Sequence, residues 1–577
     1  TPKRKQLMKY EKQILESFAK LQMSPRENQV KYINEVIEAF VDRQKPYVVL
    51  NAPTGTGKSI IGAVIADVVN ALRGSKLASL ILMHNNALTK QYYQTFSKFG
   101  KHCFLQLKGA NNYPCEALST NEPDGKISAE SCALQKFRKE GLTDITNKYC
   151  NRCEYQILKR MKNDSKNVIT NFSYYFVDRQ YSDVFEVRDI VIWDEAHTIN
   201  DAFCEHNAIY FSKERLKKFY EELAENLKLG DLEMFKQLKK VQQDLEAGKI
   251  DDTSYKSYLK VLHEIYNTAH GEAQRLCEES GYDINKYTKY SKLANKYRGL
   301  GCKIDDLLIY NYEHIFEFNK ETLEATVKPI FIGNMFEQTL VHSEFNLFMS
   351  ATISKDYITE TLRIDPSKVE FIKVEPTFPK EHKHIMFFNT QNLNFRSMQD
   401  EKTINNLCES VKQIVDTHVT QFQESGIILT PSFVVTERLA KAVRSLKLPD
   451  FEVFEHTRGM KADELIEKFK KSAGPKIMLS PSIYEGVDLP GDHSRYQIIV
   501  KAPFPSLAEK RMKYILEHHP NIYNLLTIQK IVQGGGRSVR SMDDYAVTYI
   551  LDANAQRLFN NPLNVWRDEF EVSSNHD

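Results

Sequence analysis

Short runs of consecutive apolar residues, each followed by a stretch whose apolar positions recur every three to four residues, set the texture of two blocks of the chain. The first block begins at Tyr47 and takes in 80–83 and 191–193. The second begins near Ile385 and takes in 427–429, 476–479, 498–500 and 546–551. A strand buried on both faces reads as an unbroken apolar run. Such strands alternating with helical patterns predict parallel α/β sheets.

Two stretches break this rhythm. From 207 to 328 the chain is rich in Glu, Lys, Leu and Tyr with helix-period apolar positions, which predicts an inserted helical domain. From 101 to 166 it has few β-branched residues and many turn formers, which predicts a second, smaller insertion. The expected organisation is one parallel-sheet domain assembled from 1–100, 167–206 and 329–374, interrupted by both insertions, and a second from 375–577.

Composition refines this picture modestly. A chain of 577 residues is too long for one core. A net charge of +2 gives no global footprint for nucleic acid, although a basic groove balanced by acidic surface elsewhere is compatible with it. No apolar stretch approaches the roughly 20 residues needed to span a bilayer, so no membrane partner is expected. The basic opening segment lacks the apolar run of a signal peptide. A cytoplasmic setting, or a nuclear one in a eukaryote, is the expectation, and there clustered thiols point to metal rather than to disulfides. Four of the nine cysteines, Cys115, Cys132, Cys150 and Cys153, fall in one short window.

The first chemical signal is Ala52-Pro53-Thr54-Gly55-Thr56-Gly57-Lys58-Ser59, after the apolar run at Tyr47 and before a helical run. Strand, glycine-rich loop and helix form the context of a phosphate loop. The glycines let backbone N–H groups approach phosphate oxygens at a helix N-terminus. Thr54, Gly55, Thr56 and Gly57 are expected to cradle ATP, with Lys58 on the β/γ-phosphates and Ser59 on Mg²⁺. Asp194-Glu195-Ala196-His197 follows the apolar run 191–193. A carboxylate at the carboxyl end of a strand beside the phosphate loop suits Mg²⁺, which assigns Asp194, and Glu195 is placed as general base toward water. In the second block, Gln533-Gly534-Gly535-Gly536-Arg537-Ser538-Val539-Arg540 holds two arginines three apart, on one face if helical. Their guanidinium forks suit a developing phosphoryl charge, as an arginine finger does.

These segments resemble superfamily 2 helicases. Their first motif also begins with Ala, and their QxxGRxxR matches Gln533, Arg537 and Arg540. Arg26 and Gln29 resemble the family's adenine-contacting motif. Ser350-Ala351-Thr352 resembles motif III, and Glu485-Gly486-Val487-Asp488 resembles motif V, which adds Gly486 and Asp488 to the nucleotide site. Within the superfamily, Lys108-Gly109-Ala110-Asn111-Asn112-Tyr113-Pro114-Cys115 resembles the KGRxNYxC lead-in of the XPD/DinG branch, with Ala110 where Arg is usual. Asn171-Phe172-Ser173-Tyr174 resembles its TNYxxL segment. The resemblance runs from Arg26 to Arg540. It implies two RecA-like motor domains, with an iron–sulfur domain at 101–166 and a helical arch at 207–328.

Four thiolates suit either tetrahedral zinc or the corner irons of a cubane. The intervals of 16, 17 and 2 residues give only one close pair. That shape and the resemblance together favour a [4Fe–4S] cluster on Cys115, Cys132, Cys150 and Cys153. The basic residues around them are candidates for a strand path, but acidic residues interleave. Tyr113 and Tyr149 are candidates for base stacking, with core packing the commoner use of such a ring. The reading is a monomeric ATP-dependent helicase that moves 5′ to 3′ on single-stranded DNA and splits forked duplex. Its competitors are a strand translocase that displaces protein without unwinding, and a helicase running on RNA.

Overall fold

The computed structural model describes the chain except residues 1–7, 27, 54, 120–127, 133, 140, 183, 230–232, 282, 311–312, 484–488, 490, 537, 540 and 576–577. In chain order the strands are β1 (Tyr47–Asn51), β2 (Ser79–Met83), β3 (Phe104–Gln106), β4 (Asn167–Asn171), β5 (Ile190–Asp194), β6 (Ile209–Ser212), β7 (His314–Asn319), β8 (Glu324–Pro329), β9 (Phe345–Ser350) and β10 (Val369–Lys373). The remainder of the chain adds β11 (Lys383–Gln391), β12 (Gly426–Leu429), β13 (Glu452–Glu455), β14 (Lys476–Ser480), β15 (Tyr496–Ile499), β16 (Ala546–Asp552) and β17 (Glu571–Ser574).

The first sheet has the order β10-β1-β9-β5-β2-β4-β3, and its ladders from β9 through β5, β2 and β4 to β3 are parallel. Strands β1, β2, β5 and β9 are buried at every position, which explains their unbroken apolar spelling. The helix Lys58–Arg73 presses onto this sheet at Gly62. A Cβ there would stand 3.0 Å from the Met349 Cε and 3.4 Å from the Ile192 Cδ1.

The second sheet has the order β13-β14-β12-β15-β16-β11-β17, and every ladder in it is parallel. The run Gln533-Gly534-Gly535-Gly536 lies at the end of the helix Pro520–Gly535, and its glycines are packing devices. A Cβ on Gly535 would meet the Ile385 Cδ1 at 3.1 Å and Phe570 at 3.3 Å, and one on Gly534 would meet Leu429 at 3.3 Å. The helix ends at Gly535, Ser538 and Val539 are not helical, and the pair expected on one helix face, Arg537 and Arg540, lies outside the described residues. Ser538 and Val539 are instead buried, Ser538 accepting from the Gln497 amide at 2.6 Å.

The stretch expected to be purely helical holds the helices Lys213–Glu221, Glu233–Glu246, Tyr255–Glu279 and Ile284–Tyr310. It also holds an antiparallel sheet of order β6-β8-β7. The signal was present as strict alternation of buried and half-buried positions along β8. Short strands at sheet edges, β3, β13 and β17, carry too few residues to announce themselves. β3 belongs to the first sheet although it lies within 101–166.

Contacts divide the chain into two units. One is Thr1–Leu50, Ser59–Met349 and Ile358–Ile372; the other is Asn51–Lys58, Ser350–Tyr357 and Lys373–Asp577. The phosphate loop and Ser350-Ala351-Thr352 therefore group with the second sheet. Among the described residues no helix is long and apolar enough to cross a membrane.

Gly426, at the start of β12, gives a sharp test of packing. A Cβ there would fall 2.5 Å from the ring of Tyr496, which is fully buried and stacked on His418 at 4.1 Å. Gly426→Ala should cost about 1–3 kcal/mol by overpacking. Gly271, inside the helix Tyr255–Glu279 with nothing within 4 Å of its Cβ, should gain about 0.5–1 kcal/mol as Ala. Urea midpoints at constant slope compare the two, and a Gly426→Ala protein as stable as the parent contradicts the packing account.

Candidate functional site

The phosphate loop leaves β1 at Asn51, a buried residue. Its side-chain amide donates to the carbonyls of Ala351 and Ile353, both at 3.1 Å, and the Ala52 N–H donates to the Ser350 carbonyl at 2.9 Å. Gly55 and Gly57 take φ of +87° and +81°, a region that side-chain-bearing residues rarely occupy. Gly55 is constrained twice, since a Cβ would also strike the Phe378 ring at 2.9 Å. Thr56 is buried and donates its hydroxyl to the Pro53 carbonyl at 2.7 Å, which closes the turn. Lys58 and Ser59 then open the helix Lys58–Arg73. Backbone N–H groups at a helix start, next to two left-handed glycines, are the donors an anion needs.

Asp194 ends β5 and is buried; its Oδ1 accepts the Glu195 N–H at 3.0 Å. Glu195 is left-handed, with φ +51° and ψ +45°, and the next residues turn at once into a short helix. A non-glycine residue there costs about 1–3 kcal/mol, and such strain gathers at functional sites. Its carbonyl is held by the N–H and hydroxyl of Thr198 at 3.0 and 2.9 Å. The His197 Nδ1 stands 3.4 Å from its Oε2. The motif thus holds two adjacent carboxylates in different surroundings, Asp194 buried at the strand end and Glu195 half-exposed.

Ser350-Ala351-Thr352 joins two of the expected segments. Besides receiving Asn51 and Ala52, it is held from the helix Pro520–Gly535. The Gln533 amide donates to the Thr352 Oγ1 at 2.9 Å, and the Gln529 amide donates to the Thr352 carbonyl at 3.0 Å. Arg26 and Gln29 are also brought together: the Arg26 N–H donates to the Gln29 Oε1 at 2.7 Å, with Gln29 buried and Arg26 exposed. Thr54, Gly486, Asp488, Arg537 and Arg540 lie outside the described residues.

Three residues of this site carried no motif. Asn51 reads in sequence as the last letter of a strand, and Phe378 as a core residue beyond the first sheet. Tyr92 lies on the helix Asn86–Phe96, buried, and donates its hydroxyl to the Ser59 carbonyl at 2.8 Å. Burial first, and then the charge of Asp194, push its phenol well above the ordinary tyrosine range. It therefore sits beside both residues expected to hold Mg²⁺.

The four cysteines of the window are each half-buried. Burial first, and then the charges of Cys132, Cys115 and Cys153, push the Cys150 thiol up to about 11. The Cys115 thiol is raised by burial and then by Cys132 and Cys153 as well. The Gln156 amide donates to the Cys132 Sγ at 3.2 Å. Among the described residues no three His, Cys, Asp or Glu side chains are grouped as they would be around a metal ion. The donor set suits a thiolate-held centre in kind and neighbourhood, without ligand geometry. The local core is small: Ala117, Leu118 and Phe137, flanked by half-buried side chains that include Cys115, Cys150 and Tyr287. Tyr113 is buried against Tyr155, ring centroids 5.4 Å apart, so it packs rather than awaits a base.

Comparison with known proteins agrees with this arrangement. Residues 416–564 match the family described as Helicase C-terminal domain, and residues 22–230 the family described as Type III restriction enzyme, res subunit. A protein named as a probable ATP-dependent helicase of Methanocaldococcus jannaschii is 23% identical, over 91% of this chain and 91% of its own length. The ATP-dependent DNA helicase YoaA of Escherichia coli is 22% identical, over 92% of this chain and 91% of its own length. A solved XPD helicase structure covers 96% of this chain and 100% of its own, with a TM-score of 0.59 at 16% identity. The Xpd4 structure from S. tokodaii covers 95% and 100%, with a TM-score of 0.56 at 14% identity. The structural likenesses carry the fold, two RecA-like parallel-sheet motor domains. The family matches and the named relatives support an ATP-hydrolysing helicase, and the chain is similar to the XPD/DinG branch of superfamily 2.

Tyr92→Phe removes one hydroxyl and keeps the ring against Phe96, 5.0 Å away. It should leave the fold intact and loosen the first turn of the helix that begins at Lys58. Binding of a fluorescent ATP analogue should weaken about three- to tenfold with Mg²⁺ present, the worth of one hydrogen bond, and change little without it. Equal weakening in both conditions would assign Tyr92 to general packing.

Proposed function

We propose that this protein is an ATP-driven DNA motor that moves 5′ to 3′ along a single strand and separates forked duplex. The observation that carries the reading is the hydrogen-bonded chain from Asn51 through Ala351 and Thr352 to Gln533. It joins the phosphate loop to the glutamine that precedes Arg537 and Arg540. A change at the nucleotide therefore has a short path to Gln533. DNA as the track is supported by the printed name of the Escherichia coli relative.

In this reading Gly55, Thr56, Gly57 and Lys58, with Thr54, cradle the ATP phosphates, and Arg26 and Gln29 meet the base. Ser59 and Asp194 hold Mg²⁺, which when bound neutralises charge on the transferred phosphoryl group. Glu195, turned away from Asp194 by its left-handed backbone, accepts a proton from the attacking water. Arg537 and Arg540 stabilise the equatorial oxygens as charge develops. Gln533 positions them through its bond to Thr352, and Gly486 and Asp488 complete the nucleotide contacts.

Lys58→Ala should abolish ATP hydrolysis and weaken nucleotide binding. Glu195→Gln should bind nucleotide as the parent does while kcat falls about a hundredfold or more, since only the base is lost. Nucleotide binding and steady-state hydrolysis separate the two; a Glu195→Gln protein that turns over at the parental rate removes the water-activation role.

The segment 101–166 is read as a cluster domain and 207–328 as an arch, both inserted in the first motor domain. The four neighbouring thiols support a [4Fe–4S] cluster on Cys115, Cys132, Cys150 and Cys153. The small core around them supports a structural role, since a segment with so little apolar burial draws stability from a bound metal. Cys150→Ser should bleach the brown chromophore and open 101–166 to protease. ATP hydrolysis should persist in part while duplex separation is lost. Stoichiometric zinc without iron in protein purified under anaerobic conditions refutes the cluster.

A further inference from the structure

Positive and negative side chains are nearly balanced over the chain, 78 against 76. The helix Ile284–Tyr310 departs from that balance. From 284 to 304 it carries Lys286, Lys289, Lys292, Lys296, Arg298 and Lys303 and no Asp or Glu. The helix packed against it, Tyr255–Glu279, mixes both signs and ties Arg275 to Glu272 and Glu279 at 2.5 Å each. The excess is thus not shared by the helix packed against it.

Its placement is directional. Lys289, Lys292, Lys296 and Lys303 recur at intervals of three, four and seven residues, which on a helix makes one stripe. Thr288, Ala294, Tyr297 and Ile304 are buried. Toward the C-terminal end the stripe is engaged: Lys296 meets Glu222 at 2.6 Å, and Lys303 is half-buried. Toward the N-terminal end Lys286, Lys289 and Lys292 are exposed. Lys286 has Asp283 at 3.2 Å. Among the described residues neither Lys289 nor Lys292 has a carboxylate at ion-pair distance. Tyr287, one turn away, packs into the small core that holds Cys115 and Cys150, so the open end of the stripe lies beside the cysteine segment.

We infer that the Lys289–Lys292 face of this helix is a contact for the phosphodiester backbone of the nucleic acid. The inference rests on the motor reading and deepens it. Uncompensated like charges on one exposed face are relieved by a polyanion, and release of its counterions drives the binding. Lysine suits this use. Its ammonium is a point charge that accepts a phosphate from many directions, which a sliding track requires, whereas recognition of a fixed carboxylate favours the arginine fork. Tyr290, half-buried with the Lys289 ammonium 5.9 Å from its ring, puts an aromatic side chain between the two charges, of the kind on which bases stack.

The test uses the full chain with labelled single-stranded and forked DNA, titrated at several salt concentrations. The Lys289→Glu, Lys292→Glu double variant should bind more weakly at low salt. Its slope of log affinity against log salt should be shallower by about two, one per lost phosphate contact. Lys289→Gln, Lys292→Gln should lower the slope similarly with a smaller loss of affinity, and thermal melting should match the parent. As a control for net charge, Lys470→Glu, Lys471→Glu places the same change on the exposed end of the helix Ala462–Lys471. An unchanged slope in the 289/292 variants overturns the inference while the parent's own DNA binding upholds the motor reading. An equal fall in the 470/471 control also overturns it. A parent that binds no DNA overturns both. A loss confined to forked DNA places the contact on the duplex, and a loss on both substrates places it on the strand.

Discussion

A parallel sheet must bury its strands on both faces and can present polar groups only at their ends, and this constraint organises the protein. Asn51 sits at such an end. It spends its side-chain amide on the carbonyls of Ala351 and Ile353, which fixes where the chain leaves β1 and how the loop after it is hung. The glycines at 55 and 57 can then take their left-handed turns against Phe378. The next residue along the same receiving segment, Thr352, is gripped by Gln529 and Gln533. Residues separated by hundreds of positions become one hydrogen-bonded assembly because the carboxyl ends of β1 and β9 are neighbours.

The chemistry follows from that placement. Asp194 and Glu195 are adjacent in sequence, yet the left-handed backbone at Glu195 gives them separate surroundings, one buried at the strand end and one half-exposed beside His197. Tyr92 adds a brace beneath Ser59, from a helix whose own start is capped by Asn85 through the Leu88 N–H at 3.0 Å. The insertions obey a different physics. The cysteine segment has little apolar core of its own. The stretch 207–328 combines an antiparallel sheet with a long helix pair.

Much of this was legible in the amino-acid order. Fully buried strands spell themselves as apolar runs, which placed β1, β2, β5, β12, β14 and β15. The motifs announced themselves because each is a continuous stretch whose chemistry depends on near neighbours. What stayed hidden had short or long-range causes. β3, β13 and β17 are edge strands of three or four residues. The sheet β6-β8-β7 alternates with period two inside a stretch dominated by helical spacing.

By itself the sequence determined the two parallel-sheet blocks, the order of their motifs and the clustering of four cysteines along the chain. Each depends on residues close along the chain, whose spacing survives without a fold. The tertiary structure alone decided that Asn51, Thr352 and Gln533 form one connected unit, and that Tyr92 reaches Ser59. It also made Gly534 and Gly535 packing glycines rather than a turn, and left one end of a lysine stripe uncovered. Those are contacts across the chain, set by which strand ends become neighbours when buried strands pair, and no local pattern encodes that choice.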